Sequence, residues 1–207
     1  MSPDHLPAIA DLRRTAQSLA MLDAILCAEW EYRYYSFDAC WDDGEAMASM
    51  RDGCGDDWFV LFDGCGAAIK GFAHELAAGS DWPREIQRQV PDCFSSFLDE
   101  PAFSMHHATF CYWRQQGDTG WSKVSGFGGE DGARDLLELL ISGPSGYVRW
   151  AEAYYECPVP QPVAAAIFSH EPLTDAVVLA LNPDAGLAAV RAEAGEIGYP
   201  IAGRHTS

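Results

Sequence analysis

Two tetrapeptides in this chain pair histidine with glutamate, Phe72-Ala73-His74-Glu75 and Phe168-Ser169-His170-Glu171. An imidazole beside a carboxylate can ligate a metal or move a proton. Two such pairs converging on one site would suit a small metal-dependent hydrolase. The spacing is not that of a zinc-binding H-E-x-x-H helix, because Ala78 stands where the second histidine would be. Local hydrogen bonding at a strand end and a helix end accounts for the same residues. His106, His107 and Cys111 form a further group. On a strand His107 and Cys111 would share a face, but four residues separate them by roughly 13 Å, too far for a cysteine–histidine nucleophile pair. The glycine-rich pieces at 64–66 and 126–129 lack the order of a phosphate loop and read as turns. None of these motifs identifies a reaction, and no cofactor is expected.

Charge is more informative than motif. The chain carries a formal net charge of −18 over 207 residues. That excludes a phosphate-backbone reader, which needs clustered lysine and arginine, and it disfavours anionic membranes. Between Asp38 and Asp63 stand eight acidic residues and one basic residue, Arg51. Within that segment Asp42, Asp43, Asp56 and Asp57 are the expected contacts for a basic protein partner, whose approach such a field would speed. An acidic surface serving solubility alone explains the same composition.

Hydrophobic residues make up 48% and charged residues 21%, the composition of a globular chain with a full core. No apolar run approaches the roughly 20 residues that span a bilayer. The N-terminus lacks the basic-then-apolar order of a signal peptide, so the cytoplasm is the expected compartment. Seven cysteines without C-x-x-C spacing point to reduced thiols rather than a disulfide framework or a zinc ribbon.

The elements that must position these residues are legible from periodicity. Leu12, Ala16, Leu19, Leu22 and Leu26 give one apolar stripe on a helix over 7–27. The segment 30–37, WEYRYYSF, reads as a strand whose aromatics either pack in the core or form a binding wall. Residues 44–50 read as a short helix. Trp58 to Phe62 is a strand apolar on both faces, hence interior. The turn 63–66 and a returning strand over 67–74 complete a hairpin. Asp81 caps a helix running to about Gln89. Strands follow over 102–114 and 121–127, then helices from Asp131 and from Ser145. Prolines at 158, 160 and 162 mark the start of a helical subregion, with helices over 163–168, 174–181 and 186–197. Strands early and helices late predict an α+β fold: a core over 1–157 and a C-terminal subregion over 158–207 packed on it, one domain overall.

The hairpin carries a resemblance. Gly55-Asp56, the aromatic strand Trp58 to Phe62, a short turn and a return ending in Phe72, His74 and Glu75 resemble the central signature of the SUKH superfamily of bacterial immunity proteins. The resemblance implies an α+β fold and neutralisation of a co-encoded toxin by binding. A protein of this kind would lay its acidic surface over a basic toxin domain and occlude its active site.

Overall fold

The computed structural model describes residues 1–76, 82–127 and 129–203. The expected cap Asp81 and Gly128 of the second glycine turn lie outside the described residues. The fold is α+β, as expected. Six strands, β1 (Tyr35–Asp42), β2 (Glu45–Arg51), β3 (Asp57–Phe62), β4 (Gly66–Phe72), β5 (Phe110–Gln115) and β6 (Ser122–Lys123), form one antiparallel sheet in chain order. β1 is therefore an edge and β3 an interior strand.

Alternation along β3 sorts the core into two layers. Trp58, Val60 and Phe62 join the large cluster under α1 (Ile9–Leu26) and the later helices, while Phe59 and Leu61 join a smaller one on the opposite face. That second layer is closed by α2 (Trp82–Gln89), through Trp82 and Ile86, and by Phe97 of α3 (Ser95–Asp99). Each large side chain so buried contributes about 1.5–3 kcal/mol, which makes the hairpin the structural centre. At Gly71 a Cβ would stand 2.0 Å from the Phe110 ring, so only glycine lets β4 and β5 pack there.

The remaining helices are α4 (Ala133–Leu136), α5 (Gly143–Tyr154), α6 (Gln161–Phe168), α7 (Asp175–Leu181) and α8 (Leu187–Ile197). Thr174 caps α7 by accepting the Val177 N–H at 3.2 Å, and Gly198 ends α8 at φ 69°. The C-terminal third shares the α1 core rather than a separate one. Ala164, Val178, Val190 and Ile197 belong to the same cluster as Leu19 and Leu22, and Gln17 donates to Ile197 C=O at 2.9 Å.

Several local expectations are corrected. Trp30–Tyr32 is a 3-10 turn, and β1 begins only at Tyr35. Residues 45–51 form β2, not a helix. Asp43-Gly44 is the two-residue hairpin loop between Asp42 and Glu45, with Gly44 at φ 75°. Of 102–114 only Phe110–Gln115 contributes a strand. Pro101–Phe103 and Met105–His107 are 3-10 turns hinged at left-handed Ser104, so His107 is not on a strand with Cys111. Of 121–127 only Ser122–Lys123 pairs, and the helix expected from Asp131 is a single turn followed by a 3-10 turn. Cys65 and Cys93 form a disulfide, against the expectation of uniformly reduced thiols. Their separation of 28 residues hides the pair from spacing rules, since the β3–β4 turn and the segment after α2 meet only in the folded chain. No helix among the described residues is long and apolar enough to cross a membrane.

Candidate functional site

The expected acidic contacts do not form one surface. Asp42 and Asp43 sit at the β1–β2 loop, beside the Ala46–Phe62 end of the sheet, whereas Asp57 pairs with Arg51 and Phe72 at the other end. Five residues of β3 separate the two ends by roughly 17 Å. Asp56 and Asp57 also have internal partners, while a quarter of each side chain remains exposed. Asp56 Oδ1 accepts the His74 backbone N–H at 2.8 Å and lies 2.7 Å from His74 Nδ1. Asp57 Oδ1 is 2.5 Å from Lys70 Nζ, whose side chain is fully buried over the Phe59 ring. Burial pulls the Lys70 ammonium below its ordinary range, and Asp57 partly restores it. Asp52 and Asp63 likewise cap turns: Asp52 Oδ1 accepts from the Cys54, Gly55 and Asp56 amides, and Asp63 Oδ1 from Cys65 and Gly66. Much of this acidic run builds turns.

The two His-Glu pairs are also committed locally. The hydrogen bond to Asp56 raises the His74 pKa. His170 adopts φ 57°, places Nε2 2.9 Å from the Arg14 carbonyl and leans on the Tyr199 ring, and burial lowers its pKa. Among the described residues no three of His, Cys, Asp and Glu are grouped to hold a metal, and neither Glu75 nor Glu171 joins its histidine to the other pair. The His106 and His107 rings stand 4.0 Å apart on their turn, while burial drives the Cys111 thiol far above its ordinary value. A thiol so placed is a packing group, not a nucleophile.

The surface that does gather distinctive chemistry surrounds β1. A groove of about 530 Å³ runs between β1 and α8. Tyr35, Phe37 and Asp38 line it from the strand, and Glu193, Gly195 and Glu196 from the helix. Trp30 and Trp41 also border it, and two smaller hollows of about 300 and 170 Å³ share Tyr35 with it. Trp30 and Tyr32 are 57% and 59% exposed, rare for rings of this size, and Tyr154 is 42% exposed beside them.

The turn that carries the exposed rings is anchored. Arg33 anchors their turn, donating from Nε to Cys27 C=O at 2.8 Å and pairing with Glu193 of α8 at 2.8 Å. The Arg51 guanidinium lies 5.8 Å from the Trp30 ring centroid. Trp150 stacks on Tyr154 at 5.1 Å, and the Tyr154 hydroxyl donates to Tyr32 C=O at 3.4 Å. Behind them Asp23 of α1, fully buried, accepts the Tyr34 and Tyr35 amides and the Tyr147 hydroxyl. Desolvation outweighs those bonds and raises its pKa to about 6.

By sequence the aromatics of 30–37 suit either the core or a binding wall, and the structure divides them. Tyr35 and Phe37 enter the core, and Trp30 and Tyr32 stay outside. Periodicity held no signal for that division, because the boundary is a change from 3-10 turn to strand. Exposed rings beside Asp38 and Glu196, neither of them paired with a basic side chain among the described residues, suit a cationic ligand or basic protein surface, through both charge and cation–π attraction. Glu196 is exposed and has no partner among the described residues. No known protein family, curated protein or solved structure matches the chain.

Proposed function

We propose that this protein is a binding protein for a basic protein partner, which it engages through the Trp30–Tyr32 turn and the adjoining β1–α8 groove. The observation that carries the reading is the placement of two largely exposed aromatic rings on an anchored turn, of which Trp30 lines a groove bordered also by Asp38, Glu193 and Glu196. Buried aromatic anchors dominate protein interfaces, and acidic groups around them set on-rate and orientation. The net charge of −18 extends that attraction over the whole surface. The hairpin's resemblance to SUKH immunity proteins supplies a biological setting. The partner would be a toxin domain, occluded inside the producing cell. In the cytoplasm the Cys65–Cys93 pair would be exposed to reducing conditions. A metal-dependent hydrolase built on His74-Glu75 and His170-Glu171 has no observation in its favour, since each histidine is held by its own local partner.

The test is titration of the basic polypeptide encoded beside this gene, by calorimetry and stopped flow at about 50 and 500 mM salt. A complex whose on-rate falls steeply with salt and which weakens at least tenfold on Trp30→Ala is expected. Absence of a complex, or one indifferent to Trp30→Ala and Tyr32→Ala, overturns the reading.

A further inference from the structure

The hydrogen-bond phase of β1 leaves part of its backbone open. Arg51 N–H donates to Tyr34 C=O at 2.9 Å, and bonded and non-bonded pairs alternate in an antiparallel ladder. Ser36–Ser49 and Asp38–Met47 are therefore the bonded pairs, and Tyr35 and Phe37 turn their backbone groups away from β2. The Tyr35 N–H on that outer side meets Asp23 Oδ2 at 2.8 Å, which fits this phase. The Tyr35 carbonyl and the Phe37 N–H and carbonyl have no partner among the described residues. Their side of the strand borders the groove whose far wall is α8. The β1–β2 register shifts between Asp38 and Asp42, so the regular edge ends there.

We propose that the partner contributes an extended basic segment that adds as a seventh strand to the free edge of β1 over Tyr35–Phe37, beside the groove. This deepens the proposed function and rests on it. Strand addition supplies what the groove lacks, donors and an acceptor for the Tyr35 and Phe37 backbone. An added strand sends alternate side chains to opposite faces. Asp38 stands on one face, and Glu196 lines the α8 wall next to the Arg33-paired Glu193, so lysine or arginine on the segment meets Asp38 on one side or Glu196 on the other. Gly195 and Ala192 keep that wall low: both are exposed, and a Cβ built on Gly195 meets nothing within 4 Å. Two devices that natural edges use against promiscuous pairing, a register break and a charged residue, lie at Asp38 and beyond it, leaving Tyr35–Phe37 unprotected.

The probe is a blocked seven-residue peptide of alternating arginine and threonine, with a second version N-methylated at its three central residues. The second keeps every charge but loses the amide donors of either edge. Calorimetry against the intact protein should show the first binding and the second at least tenfold weaker. Gly195→Leu, which fills the groove while raising helix propensity, should weaken the first peptide at least tenfold with a melting temperature no lower than the wild type's. Asp38→Asn/Glu196→Gln should weaken it several-fold and flatten its salt dependence. Equal affinity of the two peptides, with the charge variant still weakened, overturns strand addition and leaves the groove as the basic-partner site. No binding of the first peptide overturns strand addition, and the proposed function then stands or falls on the full partner's response to Trp30→Ala. Binding indifferent to both Gly195→Leu and the charge variant overturns the groove as the site.

Discussion

Tyr147 donates its hydroxyl proton to Asp23 Oδ1 at 2.7 Å across 124 residues of sequence, and both side chains are fully buried. The other carboxylate oxygen of Asp23 accepts the backbone amides of Tyr34 and Tyr35. One carboxyl group thus ties α1 to the start of β1 and to α5, fixing where the strand begins and where the Trp30–Tyr32 turn must leave it. Three donors thus face a charge that burial disfavours.

A pH dependence of stability follows. The folded pKa of Asp23, about 6, lies above its ordinary value of 3.8, so the folded state holds the proton more tightly than the unfolded chain. The associated stability is full below about pH 4, falls as pH rises between the two values, and is gone above about 6. A two-unit shift corresponds to roughly 3 kcal/mol. Asp23→Asn keeps an oxygen for the two amides and turns an NH2 toward Tyr147, whose hydroxyl can rotate to accept. Denaturant unfolding from pH 4 to 7 should show the wild type losing stability relative to Asp23→Asn. Parallel pH curves would refute the assignment.

The fold was more legible in the sequence than the site, for physical reasons visible at particular residues. Trp58 to Phe62 announced an interior strand because a short run apolar on both faces has few other uses. β2 resembles a helix in sequence because Ala46, Met47, Ala48 and Met50 are all buried, so its two-faced burial mimics a helical stripe. The Asp43-Gly44 loop is the signal that separates the two. The acidic residues were visible but their commitments were not. Asp52 and Asp63 differ from Asp42 only in which amides the turns bring to them. The groove depends on α8 lying beside β1 across some 150 residues, and nothing in either segment announces that contact.

The Asp57–Lys70 pair predicts an asymmetric response. Lys70 is fully buried, whereas a quarter of the Asp57 side chain reaches water. Asp57→Ala strands a buried ammonium and should cost about 3 kcal/mol, the low end for such a break because water can reach the vacated position. Lys70→Met replaces the charge with an apolar chain of similar length beside Phe59, and should change stability by less than about 1 kcal/mol. In Asp57→Ala the lysine pKa falls further below its unfolded value. Stability should then rise with pH as the folded state sheds its proton before the unfolded chain does. Equal losses for the two variants in urea unfolding would contradict this.

The disulfide predicts a thiol count and a stability change. Cys65–Cys93 closes a loop of 28 residues, and the other five cysteines are free. Denatured protein should titrate five thiols before reduction and seven after. Loop-closure entropy for that length corresponds to roughly 3–4 kcal/mol, so reduction or Cys93→Ser should lower Tm by several degrees. Seven thiols without reductant, or an unchanged Tm, would remove the bond as a contributor to the fold.

Trp30 and Tyr32 separate stability from recognition. Both are more than half exposed. Trp30 lies under Arg51, and the Tyr32 carbonyl, not its ring, receives the Tyr154 hydroxyl. Truncating either ring should therefore change folding stability by no more than about 0.5 kcal/mol, the range of ordinary surface substitutions. Rings of this type at the centre of an interface carry about 2 kcal/mol or more of binding. The double variant Trp30→Ala/Tyr32→Ala should melt like the wild type yet lose a basic partner by well over tenfold, chiefly through faster dissociation. Neutralising Glu193 is the informative contrast, because its pair with Arg33 holds the turn in place. Glu193→Gln should weaken binding through the loosened turn as well as the lost charge, and its defect should persist at high salt. A defect that vanishes at high salt would show Glu193 acting through charge alone.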